Sequence, residues 1–165
     1  MERKSEELPF ESGFSLIELL IVVAIILIIA AIAIPNLIRS KMAANEAGAG
    51  QSVRTIVTAE TTYASACPDT GYSATLVELN KGTLCLSGKD VIDDVLGASD
   101  PALKSGYKFT YSSNASNGIN TTFTIVAVPI SVGLTGQRGF FSDQTGVIRY
   151  SLDGTAPTAA SSAMQ

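Results

Sequence analysis

The sequence predicts an α+β protein, in which a long N-terminal α-helix precedes a small antiparallel β-sheet that packs on the second half of that helix. Three patterns carry the prediction. Residues 14–34 are apolar except for Ser15 and Glu18, so they can form a helix that is apolar on every side. Apolar residues then recur at helical spacing between Val53 and Ala64. In the C-terminal half they alternate with polar residues, as in half-buried strands.

The helix is expected to run from Phe14 to about Ala66, because no strong breaker occurs before the Cys-Pro pair at 67–68. Twenty residues between Leu19 and Ile38 carry no charge, which is enough to cross the hydrocarbon core of a bilayer. The sequence therefore predicts a membrane segment followed by a water-soluble head.

The second half of the helix is predicted to bury one face only. Its apolar stripe consists of Val53, Ile56, Val57, Tyr63 and Ala64. Four polar residues are expected to lie mostly off this stripe: Glu46, Gln51, Arg54 and Glu60. Such a helix needs a partner on one side, and the predicted sheet supplies it.

Composition divides the chain into a polar leader at residues 1–13, an apolar transmembrane helix at 14–38, and a globular α+β part at 39–165 that includes the rest of the helix. The formal net charge is −4, and the leader, with two basic and four acidic side chains, holds half of it. A head so close to neutral lacks the basic surface that binds nucleic acid, so no nucleic-acid partner is expected.

The head is predicted to contain two short helices and two pairs of strands. The helices are expected at Ala74–Asn80 and Asp90–Leu96, the latter capped by Ser87 or Gly88. Strands are expected at Tyr107–Ser112, Thr122–Val128, Arg138–Ser142 and Val147–Ser151. A hairpin loop at Ser113–Asn120 is expected to join the first two. A sheet of three or four strands follows, with a frayed tail from Ala156.

Three residues mark the apolar run as more than a generic span. Gly13 stands where the polar leader ends, and a glycine gives a protease an unhindered backbone to hold. Glu18 is a carboxylate inside a membrane segment, which is costly there and indicates a functional partner. Pro35 has no N–H for the carbonyl of Ala31, so it is expected to loosen or kink the helix.

The stretch from Gly13 to Leu20, GFSLIELL, together with IVVAII and AIAIPNL after it, resembles the N-terminus of type IV prepilins and pseudopilins. The resemblance covers about 25 residues. It implies that a prepilin peptidase removes residues 1–13, cutting after Gly13 and N-methylating Phe14. It further implies that Glu18 directs subunit assembly by pairing with the N-terminus of an adjacent subunit. The implied fold is a long helix with an α+β head.

Two features depart from the family pattern. The leader is acidic overall, although it keeps Arg3 and Lys4. Many type IV pilins have a glycine where Leu27 stands, and in assembled filaments that glycine and the later proline bracket a melted segment. Local melting between Ala24 and Pro35 is therefore less assured by the resemblance.

Two other interpretations of the apolar run are a cleavable secretory signal and a plain uncleaved anchor. Ala31-Ile32-Ala33 offers the small-residue pattern of a signal cleavage site. The run before it is longer than a signal core, and Glu18 interrupts it. An uncleaved anchor explains neither Gly13 nor Glu18, so the prepilin interpretation is favoured over both.

Cys67 and Cys85 both follow the membrane segment. In an exported head they would enter an oxidising compartment, where an even number of cysteines indicates a disulfide. Closing a loop of this length is worth roughly 3 kcal/mol in chain entropy. Two free buried thiols are the alternative.

The sequence offers little catalytic chemistry. It contains no histidine, which excludes a Ser–His–Asp triad, a Cys–His pair and a histidine-ligated metal. It has no phosphate-binding loop of the G-x-x-x-x-G-K-[ST] type, so a separate ATPase must drive assembly. Acidic residues that could bind calcium are Asp90, Asp93, Asp94 and Asp100, and a solvated helix face explains them better. We expect no enzyme activity, no cofactor and no metal.

Three functions fit these features: the major subunit of a type IV pilus, a pseudopilin of a type II secretion system, and a minor filament-tip subunit whose head binds a ligand. In all three the expected partners are other copies of the chain, the prepilin peptidase, membrane-embedded assembly machinery and, before assembly, membrane lipid. The expected locations are the inner membrane with the head outside, and then a surface pilus or periplasmic filament.

Overall fold

The structure is a computed structural model that describes residues 13–80 and 90–164. The chain divides into two compact units, residues 1–37 and 38–165. In chain order the elements are α1 Leu16–Ala66, α2 Leu76–Asn80, β1 Ala102–Lys104, β2 Tyr107–Ser116, β3 Ile119–Pro129, β4 Gly139–Asp143, β5 Arg149–Ser151 and β6 Ser162–Ala163. The predicted α+β class, with a long apolar N-terminal helix and a small antiparallel sheet, is confirmed.

In the first unit, α1 begins at Leu16 and is helical through Pro35. Its large apolar side chains are exposed, from 46% at Val22 to 79% at Leu16. Among the described residues this is the helix that is long and apolar enough to cross a membrane. A kink at Pro35 stays a prediction.

In the second unit, one face of α1 is buried against the sheet, as the apolar stripe predicts. Val53 and Ile56 are fully buried, and Tyr63 is 1% exposed. The prediction for Glu60 was wrong, because this carboxylate is 0% exposed. Residue 60 follows residue 53 by two helical turns and residue 56 by one, so the helix places it on the buried face whatever its polarity.

The sheet is an antiparallel meander in which β1 to β6 pair in sequence order. Alternate residues of the two longest strands point into the core, as strand geometry requires. The inward side chains are Tyr107, Phe109 and Tyr111 on β2, and Phe123, Ile125 and Ala127 on β3. They pack against the buried face of α1 within the same unit.

The long hairpin predicted at Ser113–Asn120 was wrong. The structure continues β2 to Ser116 and starts β3 at Ile119, leaving a two-residue turn. Asn117 and Gly118 have φ angles of 54° and 83°, the left-handed pair that tight hairpins use. The polar residues before the turn form exposed strand, with a register shift between Asn114 and Ala115.

The helix predicted at Asp90–Leu96 was also wrong, because these residues form turns and bends. The Oδ1 atom of Asp93 accepts the N–H groups of Val95 (N to O 3.1 Å) and Leu96 (3.2 Å). A side chain that satisfies backbone N–H groups in this way favours a turn over a helix. The proposed caps Ser87 and Gly88 lie outside the described residues.

The tail is ordered in place of the fraying predicted from Ala156. Pro157 is buried, and the N–H of Met164 donates to the carbonyl of Ile148 over 2.7 Å. Met164 also packs on the hydrophobic core, which gives the short strand β6 an anchor that its polar sequence does not reveal. With β1 and β6 included, the sheet has six strands, more than the three or four predicted.

The predicted disulfide cannot be placed, because Cys85 lies outside the described residues. Cys67 follows directly after α1 and is 3% exposed. The Cys67–Cys85 bond therefore stays a prediction.

Candidate cleavage and assembly site

The candidate site lies at the start of α1. Gly13, Phe14 and Ser15 precede the helix in non-helical backbone, and Phe14 is 77% exposed. Among the described residues other than its chain neighbours, none has a heavy atom within 4 Å of a Cβ built on Gly13. The packing of the described residues therefore gives no reason for a glycine there.

Glu18 caps the N-terminus of its own helix. The backbone N–H of Ser15 donates to Glu18 Oε2, with N to O 3.0 Å, and the N–H of Leu19 donates to the carbonyl of Ser15 over 3.2 Å. The helix has unpaired N–H groups at this end and a partial positive charge, both of which a carboxylate stabilises. Glu18 is thereby held close to the residue that cleavage after Gly13 would expose.

Sequence reasoning missed this role of Ser15. The signal was present, since Ser15 and Glu18 have the S-x-x-E spacing of a capping box. In that arrangement the glutamate at the third helical position reaches back to the N–H of the capping residue. The structure contains this half of the box.

Apart from Glu18, the helix surface from Leu16 to Ile34 is apolar on all sides. One strip along it consists of Leu16, Leu19, Leu20, Val23, Ala24 and Leu27. Leu27, where the family pattern often has glycine, is 63% exposed on this strip. An exposed apolar surface of this size marks a site of contact with lipid or protein.

Two of the acidic residues weighed as calcium ligands have separate partners. Asp93 pairs with Lys104 at 2.8 Å, and Asp94 accepts the Asn80 side-chain amide at 3.0 Å. Desolvation acts to raise the pKa of Asp93, but hydrogen bonds from Lys104, Leu96 and Val95 lower it overall. Within residues 13–80 and 90–164, no three His, Cys, Asp or Glu side chains are grouped so that they could hold a metal.

The head contains a buried polar cluster that sequence reasoning did not find. Glu60 Oε2 accepts the N–H of Ser73 (3.0 Å), and Glu60 Oε1 lies 2.5 Å from Ser73 Oγ. The Tyr111 hydroxyl donates to the carbonyl of Ser73 over 2.9 Å. Burial raises the pKa of Glu60, because desolvation outweighs the hydrogen bonds from Ser73 and Tyr111.

Comparison with known proteins bears on the N-terminal segment. Residues 9–34 match the family described as the prokaryotic N-terminal methylation motif. The chain carries this methylation motif. Gly13, Phe14 and Glu18 all lie within the matched residues.

The chain is also similar to the type IV major pilin protein PilA of Myxococcus xanthus (strain DK1622). The two are 46% identical over 57 residues, which cover 34% of this chain and 26% of the relative. The match thus spans about a quarter of the relative's length. No solved structure matches the chain. With the methylation motif on an apolar helix and a small antiparallel sheet behind it, the layout is type IV pilin-like.

Proposed function

We propose that the chain is a structural subunit of a type IV pilus-like filament, made as a precursor and assembled through its N-terminal helix. The observation that carries the proposal is the methylation motif at the start of a helix whose large apolar side chains are all exposed between Phe14 and Leu37. The role is structural and not enzymatic. The similarity to a major pilin favours a pilus subunit over a pseudopilin.

Processing is proposed at the Gly13–Phe14 bond. The peptidase removes residues 1–13 and methylates the new amino group of Phe14. Both residues precede the first helical turn, so a protease can hold them in an extended conformation without unwinding α1. Membrane lipid and the peptidase are the first partners of the chain.

Assembly is proposed to depend on Glu18. Cleavage creates a positive amino group four residues before a carboxylate that lies among apolar side chains. A neighbouring subunit brings an identical amino group, and pairing of the two charges guides docking in a medium where an unpaired carboxylate is costly. The bond from Ser15 to Glu18 keeps the carboxylate at the helix end, where that amino group arrives.

Packing of many apolar side chains then holds the filament together. In lipid the helices gain little from the hydrophobic effect, so close packing and charge pairing drive their association. The machinery that extracts each subunit is proposed to use a separate ATPase. The head is proposed to lie outside the inner membrane before assembly and on the filament surface afterwards.

The mature protein's mass and N-terminal residue test the proposal. Mass spectrometry of filaments sheared from cells is expected to find a chain that begins with N-methylated Phe14. A chain that remains uncut at Gly13 in cells with active prepilin peptidase would overturn the proposal. Recovery of the mature chain only from the cell envelope would point to a pseudopilin.

A further inference from the structure

The head has one end that differs chemically from the opposite end of its sheet. We call it the proximal end and define it by the segments gathered around residues 45–48 of α1. The side chain of Asn45 donates to the carbonyl of Thr135 over 2.8 Å. Glu46 Oε1 accepts the N–H groups of Gln137 and Arg138 at 2.7 and 3.2 Å. These bonds fix the β3–β4 loop on the first turns of the head's helix.

Two further turns join the same end. The N–H of Ile130, just past β3, donates to the carbonyl of Gly106 over 3.0 Å. A Cβ on Gly154 would meet the side chain of Val132, so the turn after β5 lies against the loop as well. Four large apolar side chains here are 51–64% exposed: Ile130, Val132, Leu134 and Leu152. We call these four the proximal apolar patch.

The opposite end of the sheet is different. It consists of the hairpin turn at Asn117-Gly118 and the turn at residues 143–146. The large apolar residues beside these turns, Ile119 and Val147, are only 38% and 37% exposed. If a second copy placed this end against the proximal apolar patch, it would have little apolar surface to pack on the patch.

Two cations accompany the patch on the helix. Arg39 and Lys41 are exposed and directly follow the last residue of the apolar run, Ile38. Arg39 precedes Glu46 by seven residues and Lys41 precedes Asn45 by four, spacings that put each pair on one helix face. The two cations therefore flank the helix face that holds the β3–β4 loop, one on each side, nearer the point where the chain enters the head.

We infer that, before assembly, the proximal end rests on the membrane surface. The aliphatic side chains of the patch enter the headgroup region, while Arg39 and Lys41 meet the phosphates of anionic lipids. Apolar side chains beside exposed cations are the composition that interfacial segments use. The inference rests on the proposed function in one respect, since it requires residues 14–38 to lie in a bilayer.

Tryptophan reporters test the inference, because the native sequence contains no tryptophan. The full chain is reconstituted in vesicles of phosphatidylethanolamine and phosphatidylglycerol, with or without lipids brominated on their acyl chains near the headgroup. Leu134→Trp is expected to emit at shorter wavelength in vesicles and to be quenched several-fold more than Ser116→Trp, a matched exposed position on the opposite hairpin. Ile130→Trp is a second reporter in case Leu134→Trp disturbs the loop.

Leu20→Trp separates the two hypotheses. If Leu20→Trp is quenched while both patch reporters behave like Ser116→Trp, the docking inference fails and membrane anchoring stands. If Leu20→Trp is not quenched, anchoring fails and the inference fails with it. A shift of Leu134→Trp that grows with protein density, without quenching by brominated lipid, would show that a second copy covers the patch and would also overturn the inference.

The charge contribution has its own comparison. Arg39→Gln with Lys41→Gln is expected to reduce quenching of Leu134→Trp in anionic vesicles and to leave it unchanged in neutral phosphatidylcholine. Added salt is expected to act in the same direction as the double substitution. Equal quenching in both lipids, with and without the two cations, would remove attraction to anionic lipid from the inference.

Discussion

Glu18 and Glu60 both stand among apolar side chains of α1, yet their surroundings are opposite. Glu60 is fully buried, and Ser73 and Tyr111 surround it with hydrogen-bonding groups. Glu18 contacts a single backbone N–H, that of Ser15, within the described residues. One carboxylate is satisfied by the fold of the head, while the other retains acceptor capacity that the described chain does not use.

The apolar side chains around the two glutamates differ in the same way. Near Glu60 they face the sheet and are buried, whereas from Phe14 to Leu37 they are exposed. The head thus completes its own core, whereas the N-terminal segment leaves its apolar surface exposed. The same helix is a folding element in one half and, under the proposed function, a binding element in the other.

The largest expected effect comes from removing the carboxylate of Glu18, which accepts one hydrogen bond from the described residues. Glu18→Ala is expected to be cut and methylated normally, while fibre yield falls to the background of cells without the chain. Its physical reason is the loss of the charge that guides docking in lipid. Immunoblots for the mature chain and shearing assays for fibres measure the two steps separately.

Glu18→Gln is the matched control for helix capping. Its amide oxygen can still accept the N–H of Ser15, so it keeps the cap and loses the charge. Fibre yield as low as that of Glu18→Ala assigns the role to charge. Fibres at wild-type yield from Glu18→Gln would reduce Glu18 to a capping residue and contradict the proposed pairing.

Removing the carboxylate of Glu60, which is hydrogen-bonded within the head, is expected to lower the stability of the head. Glu60→Ala leaves the N–H and hydroxyl of Ser73 without their acceptor and is expected to lower the free energy of unfolding by about 2–3 kcal/mol. Glu60→Gln keeps an acceptor and adds a donor, so its cost is expected to stay below about 1 kcal/mol. Asp69→Asn, at an exposed carboxylate just after α1, is the control.

Urea unfolding of the full chain in detergent micelles measures these effects. All five tyrosines lie between residues 63 and 150 and the sequence has no tryptophan, so the near-ultraviolet circular dichroism reports mainly on the head. Equal losses from Glu60→Ala and Asp69→Asn would show that the buried cluster contributes nothing to stability.

Much of this comparison was predictable from the sequence. The uncharged run and the prepilin-like residues around Gly13 and Glu18 predicted the helix, and the methylation motif was confirmed by comparison. Alternation between Tyr107 and Ser112 predicted strand, because inward and outward positions there differ clearly in polarity. Patterns of this kind reflect burial on one face, which sequence records directly.

The features that the sequence did not reveal depend on contacts between residues that are distant in the chain. The environment of Glu60 depends on Ser73 and Tyr111, which the fold brings together, so polarity alone placed it wrongly. The tail was misjudged because β5 and Met164 anchor it. The Asn117-Gly118 turn is a different case, since this dipeptide is a strong hairpin signal that the polar run around it obscured.

A smaller effect is expected from pH. Burial raises the pKa of Glu60 above its ordinary value of 4.5, so over the interval above 4.5 the folded chain holds a proton that the unfolded chain has released. The stabilisation that Glu60 contributes is fully present below pH 4.5 and is lost as the pH rises through its raised pKa. The free energy of unfolding of the wild type, minus that of Glu60→Gln, is therefore expected to fall as the pH is raised above 4.5 and through the raised pKa of Glu60.

The same urea measurements, repeated across that range, test the sign. Subtracting Glu60→Gln removes the contribution of titrating groups that do not interact with Glu60. A difference that stays constant or increases with pH would mean that Glu60 is charged in the folded head, held so by the hydrogen bonds from Ser73.

The smallest expected effect concerns the outer member of the cluster. Tyr111→Phe removes the hydroxyl that donates to the carbonyl of Ser73 at 2.9 Å and keeps the ring that stacks on Phe123. The expected loss is about 1 kcal/mol, the net value of one buried hydrogen bond. Tyr150→Phe is the control, at a half-buried tyrosine of the same sheet whose ring lies beside Arg138.

A second consequence links Tyr111→Phe to Glu60. The Tyr111 hydroxyl acts to lower the pKa of Glu60, against the larger effect of burial. Removing that hydroxyl therefore favours the protonated form of Glu60 and is expected to strengthen the pH dependence above. A Tyr111→Phe chain with an unchanged pH dependence would separate Tyr111 from the protonation of Glu60 and confine the cluster to Glu60 and Ser73.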